Sequence, residues 1–101
     1  MSAEFRSEHQ ADILIPQVLM EKIRPFIDPS SLVNIRLQSG KVIARVAFEK
    51  DTGRLLGRST GLKGPEWTDE GLDFKSDDIE AVGVYIPMLR GFFGRTKWFE
   101  R

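Results

Sequence analysis

The stretch from Leu32 to Arg58, LVNIRLQSGKVIARVAFEKDTGRLLGR, constrains the fold of this chain more than any other. Val33, Ile35 and Leu37 alternate with Asn34, Arg36 and Gln38, which gives a strand one dry and one wet face. Ser39-Gly40 then supplies a tight turn. In the following run Val42, Ala44, Val46 and Phe48 are expected on the buried face, with Arg45 and Glu49 on the other. Ile43 and Ala47 make that second face partly apolar, so this strand is expected to be covered on both sides. Asp51-Thr52-Gly53 closes a second hairpin, where glycine accepts the positive φ that such turns require. Arg54 to Ser59 gives a third strand.

The flanking sequence supplies the remaining elements. Residues 1–6 are expected to fray. Proline is tolerated in the first turn of a helix but not inside one, so the helix is predicted from Pro16 to about Arg24, with Pro25 and Pro29 stopping it. Ile15, Leu19, Ile23 and Phe26 or Ile27 then share one face. Ala11 to Ile15 reads equally as a helical turn or a short strand. Residues 60–80 form a long acidic loop anchored by Trp67, Leu72 and Phe74, with a helical turn at Thr68–Gly71 and another capped by Ser76-Asp77-Asp78. A strand follows over Ala81–Ile86, ended by Pro87, with Val82, Val84 and Ile86 inward. A fifth runs from Phe93 to Phe99, with Gly91 and Gly94 at a bend or bulge.

These elements make an α+β chain: an N-terminal helix followed by a five-stranded antiparallel meander, closed as a small barrel or left as a strongly bent open sheet. The order is similar to that of Sm-like barrels, in which a helix precedes five bent strands. Val33-x-Ile35-x-Leu37-x-x-Gly40 resembles the opening of such a barrel. The resemblance implies a fold and carries no function. A length of 101 residues suits a single domain spanning 1–101 and is enough to bury a core without staples.

Composition excludes several classes. There is no cysteine, hence neither a disulfide framework nor thiolate chemistry. No apolar run is long enough for a membrane helix, and MSAEFRSEHQ lacks an apolar signal core, which together favour a cytoplasmic protein. Net charge is zero but segregated: residues 36–64 carry seven cations against two acids, residues 65–80 seven acids against one lysine, and residues 81–101 four cations against one acid. The acidic stretch is expected to fold over the basic sheet and cancel its field.

Four sequence features bear on chemistry. Gly57-Arg58-Ser59-Thr60-Gly61 matches the G-x-S-x-G pattern of hydrolases, but the chain is too short for their doubly wound sheet. The one histidine, His9, lies on the wrong side of the serine. We read the match as a strand end entering a glycine-rich loop, with no catalytic residue and no enzyme. The same loop gathers Arg54, Arg58 and Lys63 around exposed backbone, the chemistry of an anion cradle. Asp69, Asp73, Asp77 and Asp78 offer hard oxygens, but without the spacing of a calcium loop they are read as a solvated acidic surface; no metal or cofactor is implied. The C-terminal stretch is the strongest candidate. Arg90, Arg95 and Lys97 interleave with Phe92, Phe93, Trp98 and Phe99, a mixture enriched at protein interfaces. The expected function is a non-enzymatic module that docks a partner protein or a second copy of itself through this aromatic–basic segment. The alternative is single-stranded nucleic acid, tracked by cations and stacked on aromatics. Gly91 and Gly94 count against an amphipathic membrane helix.

Overall fold

The computed structural model describes residues 12–59, 67–87 and 94–101. The elements are helix α1 (Gln17–Ile23) with a 3-10 turn (Arg24–Phe26), strands β1 (Val33–Leu37), β2 (Val42–Phe48), β3 (Leu55–Ser59) and β4 (Trp67–Thr68), a second 3-10 turn (Ser76–Asp78), and strands β5 (Ile79–Pro87) and β6 (Gly94–Glu100). Five long strands and the two-residue β4 form one antiparallel sheet in the order β4-β3-β2-β1-β5-β6. β1 to β3 are a meander, as the turn residues predict. β5 then returns to pair with β1 instead of continuing past β3. Among the described residues no ladder joins β4 to β6, so the sheet is open and the barrel form of the expectation does not apply.

The two hairpins follow from their glycines. Gly40 (φ 95°) donates its N–H to the Leu37 carbonyl at 2.8 Å, and Gly53 (φ 84°) donates to the Glu49 carbonyl at 2.8 Å. Helix α1 starts where expected, directly after Pro16, whose carbonyl accepts the first intrahelical bonds from the Leu19 and Met20 N–H groups at 2.9 Å. Ile15, Leu19, Met20 and Ile23 bury one helical stripe against one face of the sheet, meeting Val33, Ile35, Val46, Val82 and Val84. Of the two alternatives for the end of that stripe, Ile27 packs against the core, whereas Phe26 is half exposed and stacks on Phe99 with ring centroids 5.4 Å apart. The ambiguous segment before the helix is strand-like: Ile15 donates to the Gly53 carbonyl and Leu55 to the Ile13 carbonyl, both at 2.9 Å.

β2 corrects the sequence reading. Val42 is 49% exposed and Ala44 is exposed, while Ile43 is buried with Val46 and Phe48. The cause is a β-bulge. Ile35 pairs with Ile43 and Val33 with Val46, so Ala44 and Arg45 together face Asn34. The extra residue shifts the side-chain period by one, and every residue before it changes face. Arg45 takes φ 61°, a left-handed conformation costly for a residue with a Cβ, and its N–H donates to Asn34 Oδ1 at 3.1 Å. A second bulge shifts the start of β5. Arg36 pairs with Ala81 but Leu37 with Ile79, so the strand begins two residues before the predicted Ala81.

In the acidic stretch Leu72 and Phe74 are buried anchors, as predicted; the Trp67 side chain lies outside the described part. Thr68 belongs to β4, and the expected helical turn at Thr68–Gly71 is instead an irregular turn closed by Gly71 (φ 88°). The turn at Ser76–Asp78 forms as predicted, with Asp78 Oδ2 accepting the Lys75 N–H at 3.0 Å.

Candidate functional site

Directly paired residues in an antiparallel ladder share a face, so the register sorts the side chains. On the helix side lie the core residues together with Arg95, Lys97 and Phe99 of β6. On the other side, row by row, lie Val42, Arg36, Ala81 and Glu100; then Asn34, Gly83 and Trp98; then Tyr85 and Thr96; then Pro87 and Gly94. Among the described residues no helix covers this second face.

The C-terminal candidates are therefore distributed over both faces. Phe99 packs against the core and Phe26, with the Lys97 ammonium 5.7 Å from its ring. Arg95 is exposed on the same side. Trp98 lies on the open face, half buried, directly over Gly83. A Cβ on Gly83 would come within 2.7 Å of Thr96 Cγ2 and 3.1 Å of Trp98 Cδ2, so the indole rests on bare backbone. Arg36 completes the stack, its guanidinium 5.1 Å from the indole centroid. Glu100 and Glu80 hold that guanidinium from the other side, Glu80 at 3.0 Å, and their hydrogen bonds raise its pKa. Arg90, Phe92 and Phe93 lie outside the described residues.

The two described cations of the predicted anion cradle, Arg54 and Arg58, have partners. Arg54 meets Glu49 at 2.9 Å and Asp12 at 4.0 Å, and Arg54 holds the Glu49 carboxyl below its ordinary value. Arg58 donates Nη1 to the Glu70 carbonyl at 3.0 Å, and its Nε is buried without a partner among the described residues. Lys63 lies outside the described residues, as do His9, Thr60 and Gly61. Ser59 Oγ accepts a long bond from Arg45 Nη2 at 3.4 Å. Among the described residues no three carboxylate or imidazole side chains gather as metal ligands would.

Sequence reasoning missed a groove on the open face. It has a volume of about 590 Å³, and Asp28, Asn34, Arg45, Tyr85, Thr96 and Phe26 contribute to its lining. The loop before β1 forms one wall. There Asp28 Oδ1 accepts the Ser30 hydroxyl at 2.7 Å and the Ser30 N–H at 2.8 Å, which lowers the Asp28 pKa. The Arg45 bulge forms another wall. Tyr85, 59% exposed, stands over Gly94, where any Cβ would overlap the ring. No signal in the sequence pointed here, because Val42, Ala44, Val46 and Phe48 alternate as an unbroken strand would and leave the bulge unmarked.

No family model, curated protein or solved structure matches this chain. The open face and its groove are thus interpreted from their own chemistry.

Proposed function

We propose that the chain is a non-enzymatic binding module that docks a partner protein on the open face of its sheet, with Trp98 of the C-terminal strand as the anchor. The observation that carries this reading is the half-buried Trp98 on a face the helix leaves free, stacked with Arg36 and one row from the exposed Tyr85, with the exposed Val42 further across the same face. A large ring of fixed orientation offers contact area at low entropic cost, and the charged pairs beside it suit the rim of an interface. Self-association is one form of the same docking.

To test it, a photo-crosslinking residue is placed at Val42 on the open face or at Gln17 on the exposed side of α1. Crosslinks to a defined protein, or to a second copy, from Val42 alone are the expected result, lost when Trp98→Ala is added. Crosslinks from both positions alike, or from neither, would overturn the reading.

Tyr85 and Trp98 on adjacent strands, near Arg36 and Arg45, also favour the single-stranded nucleic-acid reading, because each ring can stack on a base. Glu80 and Glu100 weigh against it by neutralising Arg36 where a phosphate would lie. Anisotropy of a labelled oligonucleotide across a salt series separates the two: no binding at low salt ends the nucleic-acid reading.

A further inference from the structure

We infer that the groove beside the Arg45 bulge binds a neutral polyhydroxylated ligand, a mono- or oligosaccharide. Its volume of about 590 Å³ falls in the ligand-sized range, roughly 300–1,000 Å³ for small-molecule sites. Among the described residues the charged side chains of its lining are Asp28 and Arg45, one of each sign, a balance that suits a neutral ligand.

The polar groups it presents have spare capacity. Among the described residues Arg45 uses one weak side-chain bond, to Ser59, and leaves the rest of its planar fork available. Asn34 spends its Oδ1 on the Arg45 N–H and keeps its amide donors. Asp28 receives Ser30 on Oδ1, which leaves Oδ2 as an acceptor. The Tyr85 and Thr96 hydroxyls have no partner among the described residues. Planar guanidinium, amide and carboxylate groups each offer two hydrogen-bonding positions a fixed distance apart, which matches neighbouring hydroxyls on a sugar ring. Tyr85 adds an exposed aromatic face for the C–H side of such a ring.

The Arg45 backbone and the Asp28 carboxylate are also held in place before any ligand arrives. The bulge, pinned by Asn34, fixes the Arg45 backbone at φ 61°, and the Ser30 contacts fix Asp28. Preorganisation lowers the entropy lost on binding. The strained backbone at Arg45 thus has a consequence: it re-aims a cation that a regular strand would have placed elsewhere.

The test is a titration of the ¹⁵N-labelled protein with glucose, mannose, galactose, N-acetylglucosamine, maltose and cellobiose, with glucuronate and glucosamine as charged counterparts. Saturable shifts at the Asn34, Gly83 and Thr96 amides are expected with at least one neutral sugar at millimolar concentration. Tyr85→Ala, at an exposed position, should weaken that sugar by roughly tenfold, the equivalent of about 1.4 kcal/mol. Asn34→Asp keeps the oxygen that pins Arg45 but removes the amide donors, and should shift preference towards glucosamine. The inference is overturned if no neutral sugar gives a saturable shift, or if Tyr85→Ala binds as the wild type does. It is equally overturned if glucuronate or glucosamine binds the wild type far more tightly than every neutral sugar. The titration uses the isolated protein, so its outcome is independent of whether a partner protein docks through Trp98.

Discussion

Trp98 and Gly83 make a pair whose energetics can be worked out in advance. The indole lies on a glycine because a methyl at Gly83 would sit 3.1 Å from Trp98 Cδ2 and Cε3 and 2.7 Å from Thr96 Cγ2. In Gly83→Ala the ring must lift, which weakens its packing and its 5.1 Å approach to Arg36. Overpacking of this kind costs about 1–3 kcal/mol. Restricting the unfolded chain returns about 0.4–1 kcal/mol. The net expectation is a loss of about 1–2 kcal/mol. Trp98→Ala alone removes a half-buried ring, so its cost should fall below the roughly 3–5 kcal/mol of a fully buried aromatic, at about 2 kcal/mol. That figure includes about 0.5–1 kcal/mol for the cation–π contact. In the double variant the indole is gone and only Thr96 opposes the new methyl. The combined loss should therefore be smaller than the sum by about 1 kcal/mol, more than the ~0.5 kcal/mol within which independent sites add. Urea unfolding of the four proteins, with m-values compared, measures the cycle. Additivity, or a Gly83→Ala variant more stable than wild type, would refute the reasoning.

Three further outcomes follow from the packing and the ion pairs. Ile35→Ala, fully buried between β2 and β5, should cost about 2–5 kcal/mol by chemical denaturation; a loss under about 1 kcal/mol would contradict its place in the core. Gly40→Ala and Gly53→Ala both meet a positive φ, but the Gly40 methyl meets nothing within 4 Å whereas the Gly53 methyl would lie 3.1 Å from Met20 Cγ and 3.2 Å from the Ile15 carbonyl. Thermal melts should show Gly53→Ala the more damaging by about 1 kcal/mol or more, and equal losses would show that conformation alone matters. Asp28 and Glu49 both have lowered folded pKa values, from the Ser30 and Arg54 contacts respectively, so their stabilising effect is present above the unfolded carboxylate range and lost as pH falls. The urea midpoint should hold above about pH 5 and drop towards pH 3, with a shallower drop in Glu49→Gln; a midpoint that rises on acidification would reverse the sign.

Turn chemistry made the first three strands legible. Gly40 and Gly53 sit where the chain must take positive φ, and period-2 alternation in β1 gave its buried side correctly. Both misreadings in the sheet have one cause. A bulge adds a residue that alternation cannot count, so Val42 and Ala44 came out on the wrong face and the Glu80 bulge hid the start of β5. The aromatic–basic run looked like one patch because sequence adjacency was mistaken for spatial adjacency. On a strand, Trp98 and Phe99 point to opposite sides, and the sheet itself stands between them. The groove was illegible for a different reason. Asp28, Asn34, Arg45 and Tyr85 come from a loop and three strands, and no short-range pattern brings them together.

The return of β5 to β1 also bears on how the molecule assembles. β1 to β3 are joined by local hairpins, and β5 with β6 forms a second local ladder. The two halves meet along one seam, whose rungs join residues more than forty positions apart. Hairpins need only short loops to close, whereas this seam needs a long one, so its closure is the slow, non-local event of folding. Helix α1 precedes β1 yet packs on β5 and β6, and Lys22 reaches across to the Glu100 carbonyl. Its stripe also meets Val33, Ile35 and Val46, so closing the seam completes a seat that β1 and β2 begin. The core on one side and the open face on the other arise in that same step, so a ligand on the open face recognises only a fully zipped sheet.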